Sequence, residues 1–345
     1  MKTYLVTGGS GFFGGILKRR LLAEGNRVIN LDLHADNERH PNLTSIRADI
    51  RDSQKMNEVF GGQKLDGIFH AAAVLAHDAS SKDFLWASNV IGTKVVAECA
   101  KQFRVPNVVF ISSNCLWGQP VGRPVTEDEP VNPVELYGQS KWEAEKLLAA
   151  YSGDFNVVSI RTPTIVDAGR LGLLAILFEF IDEGRHIWTV GGGHNRYQFI
   201  YAEDLCSAAV LAISHDKSDV FNVGSDNVKT LREVYSYVIE RAQSRSKIAD
   251  LPRDLTLLAM KVGHKLKLSP LGPYHYKMIA EDFVFDTTKI KQHLGWKPTV
   301  TNEEMLWRAF HFYSTNRAEI ENRKDVSAHN KVAKMGAIRL LKWVS

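Results

Sequence analysis

The stretch Thr7-Gly8-Gly9-Ser10-Gly11-Phe12-Phe13-Gly14 decides the fold. An apolar run, Tyr4 to Val6, leads into it, and Ile16, Leu17, Leu21 and Leu22 follow at helical spacing, so it reads as a strand-to-helix turn. In such a turn Gly8 permits a tight reversal, Gly11 lets backbone N–H groups approach a diphosphate, and Gly14 lets the helix lie close on the strand. Phosphates would sit at the helix N-terminus, where unpaired amides and the helix dipole favour negative charge. Three glycines alone are weak evidence. Here a second apolar strand, Val28 to Leu31, ends in Asp32, close to the spacing at which a carboxylate accepts from ribose hydroxyls. Together the two features point to a bound dinucleotide, with Gly8, Gly11, Phe12, Phe13, Gly14 and Asp32 as candidate contacts.

Further along, a short strand from Leu43 to Arg47 leads to Asp49-Ile50, where the adenine edge would be met. A helix from Ser53 to Phe60 and a strand from Gly67 to Phe69 follow, the latter ending at His70-Ala71-Ala72-Ala73. Small residues there serve either close approach to a cofactor or simple packing of strand on helix. Asn89, in a helix near Phe84 to Phe103, is either a surface polar residue or a brace on the neighbouring strand backbone. Val108 to Ile111 is apolar throughout, as expected for a strand buried on both faces. It delivers Ser112 and Ser113 at its carboxyl end, the edge where open parallel sheets bind ligands.

Tyr137-Gly-Gln-Ser-Lys141 opens a helix running to about Tyr151. Strands and helices alternate up to Arg161, which predicts an α/β protein built on a doubly wound parallel sheet. From Thr162 the rhythm becomes irregular, with a strand at Gln198 to Tyr201, a helix from Glu203 and a strand at Val220 to Val223. The expected organisation is a dinucleotide-binding domain over residues 1–165 completed by segments near 195–225, a substrate-binding lobe over 166–315, and a tail over 316–345.

Tyr137 and Lys141 are four apart on a helix, so their side chains share a face. A free phenol, with a pKa near ~10, is a poor base at neutral pH. A nearby ammonium and a positively charged nicotinamide favour the phenolate, and tyrosine then becomes a usable acid/base. Ser113 can hold the reacting oxygen, and Lys141 can also position a ribose hydroxyl. A lone Tyr-x-x-x-Lys is frequent by chance; the dinucleotide turn and the serine-bearing strand end are what give this one meaning.

These residues resemble the extended short-chain dehydrogenase/reductase superfamily, in particular the NAD-dependent epimerase/dehydratase group. The similarity covers about residues 2 to 313. It rests on Thr7 to Gly14, Asp32, Asp49-Ile50, His70 to Ala73, Asn89 to Thr93, Ser112-Ser113, Tyr137 with Lys141, Arg161 to Pro163, Arg196 to Asp204, and Asp286 to Pro298. The resemblance implies a Rossmann sheet with a smaller interleaved lobe, NAD as cofactor, and a homodimer through the helices containing Asn89 and Tyr137. It adds Asn89, Ser112, Thr162 and Pro163 to the cofactor contacts. Sugar-nucleotide 4,6-dehydratases of the group carry an Asp-Glu pair beside the catalytic hydroxyl, and decarboxylases a glutamate. Here that stretch is Ser113-Asn114-Cys115-Leu116-Trp117-Gly118, with neither acid, so elimination and decarboxylation are disfavoured.

The leading expectation is an NAD-dependent epimerase or ketoreductase of a nucleotide-activated sugar, with Asn114, Arg170, Arg196 and Lys277 as substrate contacts. The segment Pro273 to Met278 and the apolar stretch Leu255 to Leu268 resemble 3β-hydroxysteroid dehydrogenase-like relatives as well, so a hydrophobic alcohol is the second reading. A non-catalytic NAD-binding protein is the third, and the intact Ser113, Tyr137 and Lys141 argue against it.

The chain has 345 residues, 44% hydrophobic and 24% charged, an ordinary globular composition. Residues 316–345 carry seven Lys and Arg against three acidic side chains, which accounts for the whole formal charge of +4. The body is therefore neutral, and nothing in it asks for nucleic acid. Cys99, Cys115 and Cys206 are widely separated, with no metal-type spacing, and read as reduced thiols of a cytoplasmic protein. Written as a helix from Ala328, the tail is basic and imperfectly amphipathic. It suits docking on the body or a partner subunit, favoured here, or peripheral contact with an anionic membrane.

Overall fold

The structure, a computed structural model, describes residues 1–75, 81–266, 274 and 278–321. Its strands in chain order are β1 (Thr3–Thr7), β2 (Arg27–Asp32), β3 (Leu43–Arg47), β4 (Gly67–His70), β5 (Asn107–Ile111) and β6 (Asn156–Arg161). The later ones are β7 (Thr164–Val166), β8 (Ile187–Val190), β9 (Phe199–Tyr201), β10 (Asp219–Asn222) and β11 (Ile248–Leu251). Seven of them form one sheet in the order β10-β6-β5-β4-β1-β2-β3, and every pairing in it is parallel. Strand order reverses between β1 and β4, so a crevice opens beyond their carboxyl ends. Thr7 pairs with both Leu31 and His70, which brings Gly8, Asp32 and Ala71 to one edge.

Helices cover both faces of the sheet, as a parallel sheet requires. On one face lie α1 (Phe12–Ala23) and, later in the chain, a helix from Ala202 to Ala212; Leu17, Leu21, Leu205, Ala209, Phe221 and Trp296 are buried there. On the other, α2 (Ser53–Gly61), α3 (Lys82–Trp86), α4 (Gly92–Gln102) and α5 (Leu136–Ala149) pack over Leu5, Ile29, Met56, Phe60, Val96 and Phe110. A third apolar cluster, with Phe178, Val234, Val238, Leu306 and Phe310, ties α6 (Leu174–Asp182) to the helices Leu231–Arg241 and Asn302–Thr315. A fourth, with Leu116, Trp117, Phe283 and Phe285, lies under the loop after β5.

The family-like segments from Arg196 to Asp204 and around Leu294-Gly295-Trp296 meet in space. Asp204 is buried and accepts from the Thr299 N–H and hydroxyl, both at 2.7 Å, while Trp296 donates to the Asp204 carbonyl at 2.9 Å. Two stretches distant in sequence are thereby locked together. The tail begins by docking: Arg317 reaches Asp182 at 2.8 Å and Glu183 at 3.0 Å, and Ile320 is buried. The rest of it, including the helix expected from Ala328, lies outside the described residues. Leu255, Leu258, Val262 and Leu266, from the apolar stretch weighed for a hydrophobic substrate, are exposed. Among the described residues no helix is long and apolar enough to cross a membrane.

Candidate active site

The turn after β1 is shaped by what a side chain would strike. Gly8 has φ of 77°, and a Cβ on it would lie 2.8 Å from Ala72 Cα. A Cβ on Gly14 would collide with the Gly8 carbonyl. Gly11 precedes α1 with no side-chain cap and no acidic residue in the first turn, so the helix presents its bare N-terminal amides. Such a cradle, open only to backbone, fits a diphosphate. The contact of Ala72 with Gly8 explains the small residues after β4, and Ala71, Ala72 and Ala73 all line the cavity beyond the turn. His70 beneath them is fully buried between the hydroxyls of Thr7 at 2.7 Å and Thr93 at 2.8 Å. Burial pushes its pKa down to about 3, so it is a neutral structural bridge.

Asp32 accepts from the backbone N–H of Ser10 at 3.0 Å and of His34 at 2.9 Å, which fixes its carboxylate at the rim of the same cavity. The loop that follows is held by Lys18, buried against Asp36 at 2.6 Å and Glu38 at 2.9 Å. Asp49 and Ile50 line the adjoining wall; the Arg51 guanidinium beside Asp49 holds its carboxyl below the usual range.

Asn89 stands elsewhere than a cofactor contact would. It lies in a wide helical turn, Ala87–Ile91, and accepts from the Val74 N–H at 2.7 Å while donating to the Val74 carbonyl and the Ser140 hydroxyl, both at 3.0 Å. It is thus a brace behind the cavity, tying the segment after Ala73 to α5, and not part of the wall.

The cavity measures about 510 Å³ and runs from the glycine turn past Ser112, Ser113, Asn114, Thr162 and Pro163 to Tyr137, Lys141 and Arg170. Ser113 accepts from the Cys115 N–H at 3.1 Å, and its hydroxyl is close enough to favour a Tyr137 phenolate. A Cβ on Gly138 would collide with the Cys115 carbonyl, so the first turn of α5 is seated directly on this segment. Burial pushes the Tyr137 phenol up, and burial lowers Lys141 to about 7. The spacing of Tyr137 and Lys141 points to Lys141 as the cation that lowers the phenol; Arg170, which lines the same cavity, also favours the phenolate, less strongly than burial opposes it. Behind the serines, Ser112 donates to Glu145 at 2.8 Å, and Glu145 is paired with the buried Arg161 at 2.5 Å.

At the far end, Asn114 donates to Tyr197 Oη at 2.9 Å and to Tyr274 Oη at 3.0 Å, the two phenols lying 3.1 Å apart. Neither tyrosine was singled out by sequence. Arg196, expected beside the substrate, is exposed and away from the cavity wall, its backbone N–H bonded to Asp282 at 2.6 Å. In an extended segment consecutive side chains point to opposite sides, so Tyr197 faces inward because Arg196 faces out. Lys277 lies outside the described residues.

Comparison with known proteins identifies the family and agrees with the fold. The model of a family described as the NAD dependent epimerase/dehydratase family matches residues 4–224. The Sinorhizobium fredii protein y4nG is 34% identical over 345 residues, spanning 99% of this chain and 86% of its own length. A UDP-glucose 4-epimerase of Lactobacillus helveticus is 27% identical over 92% of this chain and 99% of that protein. Among solved structures, a UDP-glucose 4-epimerase of Thermotoga maritima with UDP-glucose superposes with a TM-score of 0.76 at 22% identity, covering 91% of this chain and 99% of that one. The Bordetella bronchiseptica enzyme WbmG, in complex with NAD and UDP, gives 0.74 at 21% identity over 90% and 94%. At these identities the solved structures speak for the fold.

Proposed function

The chain belongs to the NAD dependent epimerase/dehydratase family, and we propose that it is an epimerase or ketoreductase of a nucleotide-activated sugar with Tyr137 as its acid/base. Like its family it is an NAD-dependent enzyme of the extended short-chain dehydrogenase/reductase type. The observation that carries the finer reading is that Ser113, Tyr137 and Lys141 share one cavity with Gly8, Gly14 and Asp32.

In this reading the bare amides at Gly11 and the start of α1 hold the cofactor diphosphate, Asp32 accepts from the adenosine ribose, and Lys141 faces the second ribose. NAD, when bound, supplies the acceptor for a substrate hydride. Tyr137 takes the proton of the substrate hydroxyl at its phenolic oxygen and returns it when the carbonyl is reduced. Ser113 donates to the same substrate oxygen and so fixes which carbon faces the cofactor. Asn114, whose amide nitrogen donates to Tyr197 and Tyr274, lines the cavity where the sugar would lie. Between Ser113 and Gly118 no carboxylate stands ready to remove a second proton, which favours return of the hydride over elimination. The exposed Leu255, Leu258, Val262 and Leu266 do not contribute to the cavity wall, which weakens the reading for a hydrophobic alcohol.

The test is incubation with NAD and a panel of UDP-, GDP-, CDP- and TDP-sugars, followed by NMR of the sugar and absorbance of NADH. Inversion at one carbon without net NADH means epimerisation, and accumulating NADH means net oxidation. No turnover of any nucleotide sugar alongside oxidation of a sterol-like alcohol would sink the proposal.

A further inference from the structure

Arg170 is a charged group of the cavity wall that the reading above leaves unused. It follows Asp167-Ala168-Gly169 after β7, in a loop that also walls a second opening beside the glycine turn. Its guanidinium lies 5.8 Å from the centre of the Phe12 ring. Its Nε is sealed from solvent and has no hydrogen-bond partner. A buried guanidinium nitrogen left unpaired is costly, and a catalytic role is one reason for such a group to persist.

The groups around Tyr137 leave few candidates for such a role. From the segment after β5 come the Ser113 hydroxyl and the Cys115 thiol, the latter pushed up to about 11 by burial and so neutral. From α5 itself come Lys141 and Glu145, and from the loop after β7 comes Arg170. Lys141 is committed elsewhere: its ammonium lies 4.0 Å from the centre of the Phe110 ring, and the anion that favours its charge is Glu145. Arg170 and Tyr137, by contrast, line the same cavity, and each favours the charged form of the other.

We propose that Arg170, in the loop after β7, is a positioning residue that stabilises the oxyanion of Tyr137, with which it lines one cavity. Lys141 is then left to the ribose and to the aromatic floor. This rests on Tyr137 being the acid/base. Although burial lowers Arg170 to about 10, it remains a cation at neutral pH, so the pair is always half formed. The Phe12 ring, 5.8 Å from the guanidinium, ties its position to the cofactor turn.

The experiment compares wild type, Arg170→Lys and Arg170→Met as NAD-loaded proteins. One readout is the pH profile of kcat. A second, free of turnover, is the phenolate absorbance that disappears in Tyr137→Phe. Expected is an upward move of the phenolate midpoint by about 1 to 3 pH in Arg170→Met, with Arg170→Lys recovering much of it and NAD affinity changed less than about threefold. An unmoved midpoint would overturn the proposal, as would a loss confined to NAD affinity, which would make Arg170 a diphosphate contact. Should Arg170→Met fail to fold, Arg170→Lys alone decides by the same midpoint. If Tyr137→Phe keeps its turnover, the acid/base reading fails separately, while the absorbance titration still reports on the pair.

Discussion

The ammonium of Lys141 sits 4.0 Å above the centre of the Phe110 ring, on the floor of the cavity and almost without solvent contact. A cation there is stabilised by the ring but deprived of water, and burial wins: its pKa falls to about 7. The stability consequence has a definite sign. Between about 7 and its ordinary value the unfolded chain binds a proton that the native chain does not, so Lys141 makes stability rise with pH across that window. Below about 7 the burden is fully present. Lys141→Met is therefore expected to raise Tm most at pH 6 or below, with the gain shrinking toward pH 10, while turnover falls. A gain in Tm independent of pH would show that the ammonium is not buried as described.

Tyr137→Phe removes one oxygen and leaves the cavity wall otherwise intact. Because general acid–base catalysis contributes about 10²–10⁴-fold, turnover should fall by that order. NAD affinity, measured by calorimetry, should stay within about threefold. Turnover near that of the wild type would refute the assignment.

How much of this was legible in the sequence depends on how local each relationship is. Thr7 to Gly14, the apolar run into Ser113 and the Tyr137–Lys141 pair are all set by neighbours within one strand or one helical turn, and the structure gathers them at one sheet edge. Asn89 was legible only as an alternative, and its contacts with Val74 and Ser140 chose the brace. Arg196 was misplaced by a single position, since an irregular segment gives no periodicity from which to tell its inner face from its outer one. Tyr274 meets Asn114 across 160 residues, a relationship carried by no spacing rule. The same holds for Arg170 and Tyr137, which only the closing of the loop after β7 brings together.

Cofactor choice follows from Asp32. Its two oxygens already accept from Ser10 and His34, and the carboxylate remains fixed at the cavity rim where an adenosine ribose would lie. A 2′-phosphate would face that charge, and the buried Lys18 is already spent on Asp36 and Glu38. NAD is expected to bind at least about tenfold more tightly than NADP, a difference of about 1.4 kcal/mol. Asp32→Asn should narrow that ratio. Fluorescence titration of both reduced cofactors checks it, and equal affinities in the wild type would count against Asp32.

The seating of α5 on the Ser113 segment makes a sharper demand than any single hydrogen bond. Gly138 follows Tyr137 directly, and a methyl group at Gly138 would run into the Cys115 carbonyl, which is backbone and has no rotamer by which to retreat. The Ser113–Cys115 N–H contact at 3.1 Å holds that carbonyl's segment to the serine, so relief must come from lifting the start of α5. Lifting it carries Tyr137 away from Ser113 while the glycine turn, at the carboxyl end of β1, stays in place. Gly138→Ala should therefore lower kcat by about 10²-fold, since displacement of about 1 Å at a reacting group has that effect. NAD affinity should be nearly unchanged, and Tm should drop by only a few degrees, an overpacking loss of about 1–3 kcal/mol. Gly14→Ala gives the opposite pattern, because its methyl group would strike the Gly8 carbonyl and spoil the cofactor cradle itself. Measuring kcat and NAD affinity for both variants separates the two seats; a Gly138→Ala enzyme with wild-type kcat would mean that the contact between α5 and Cys115 does not position the phenol.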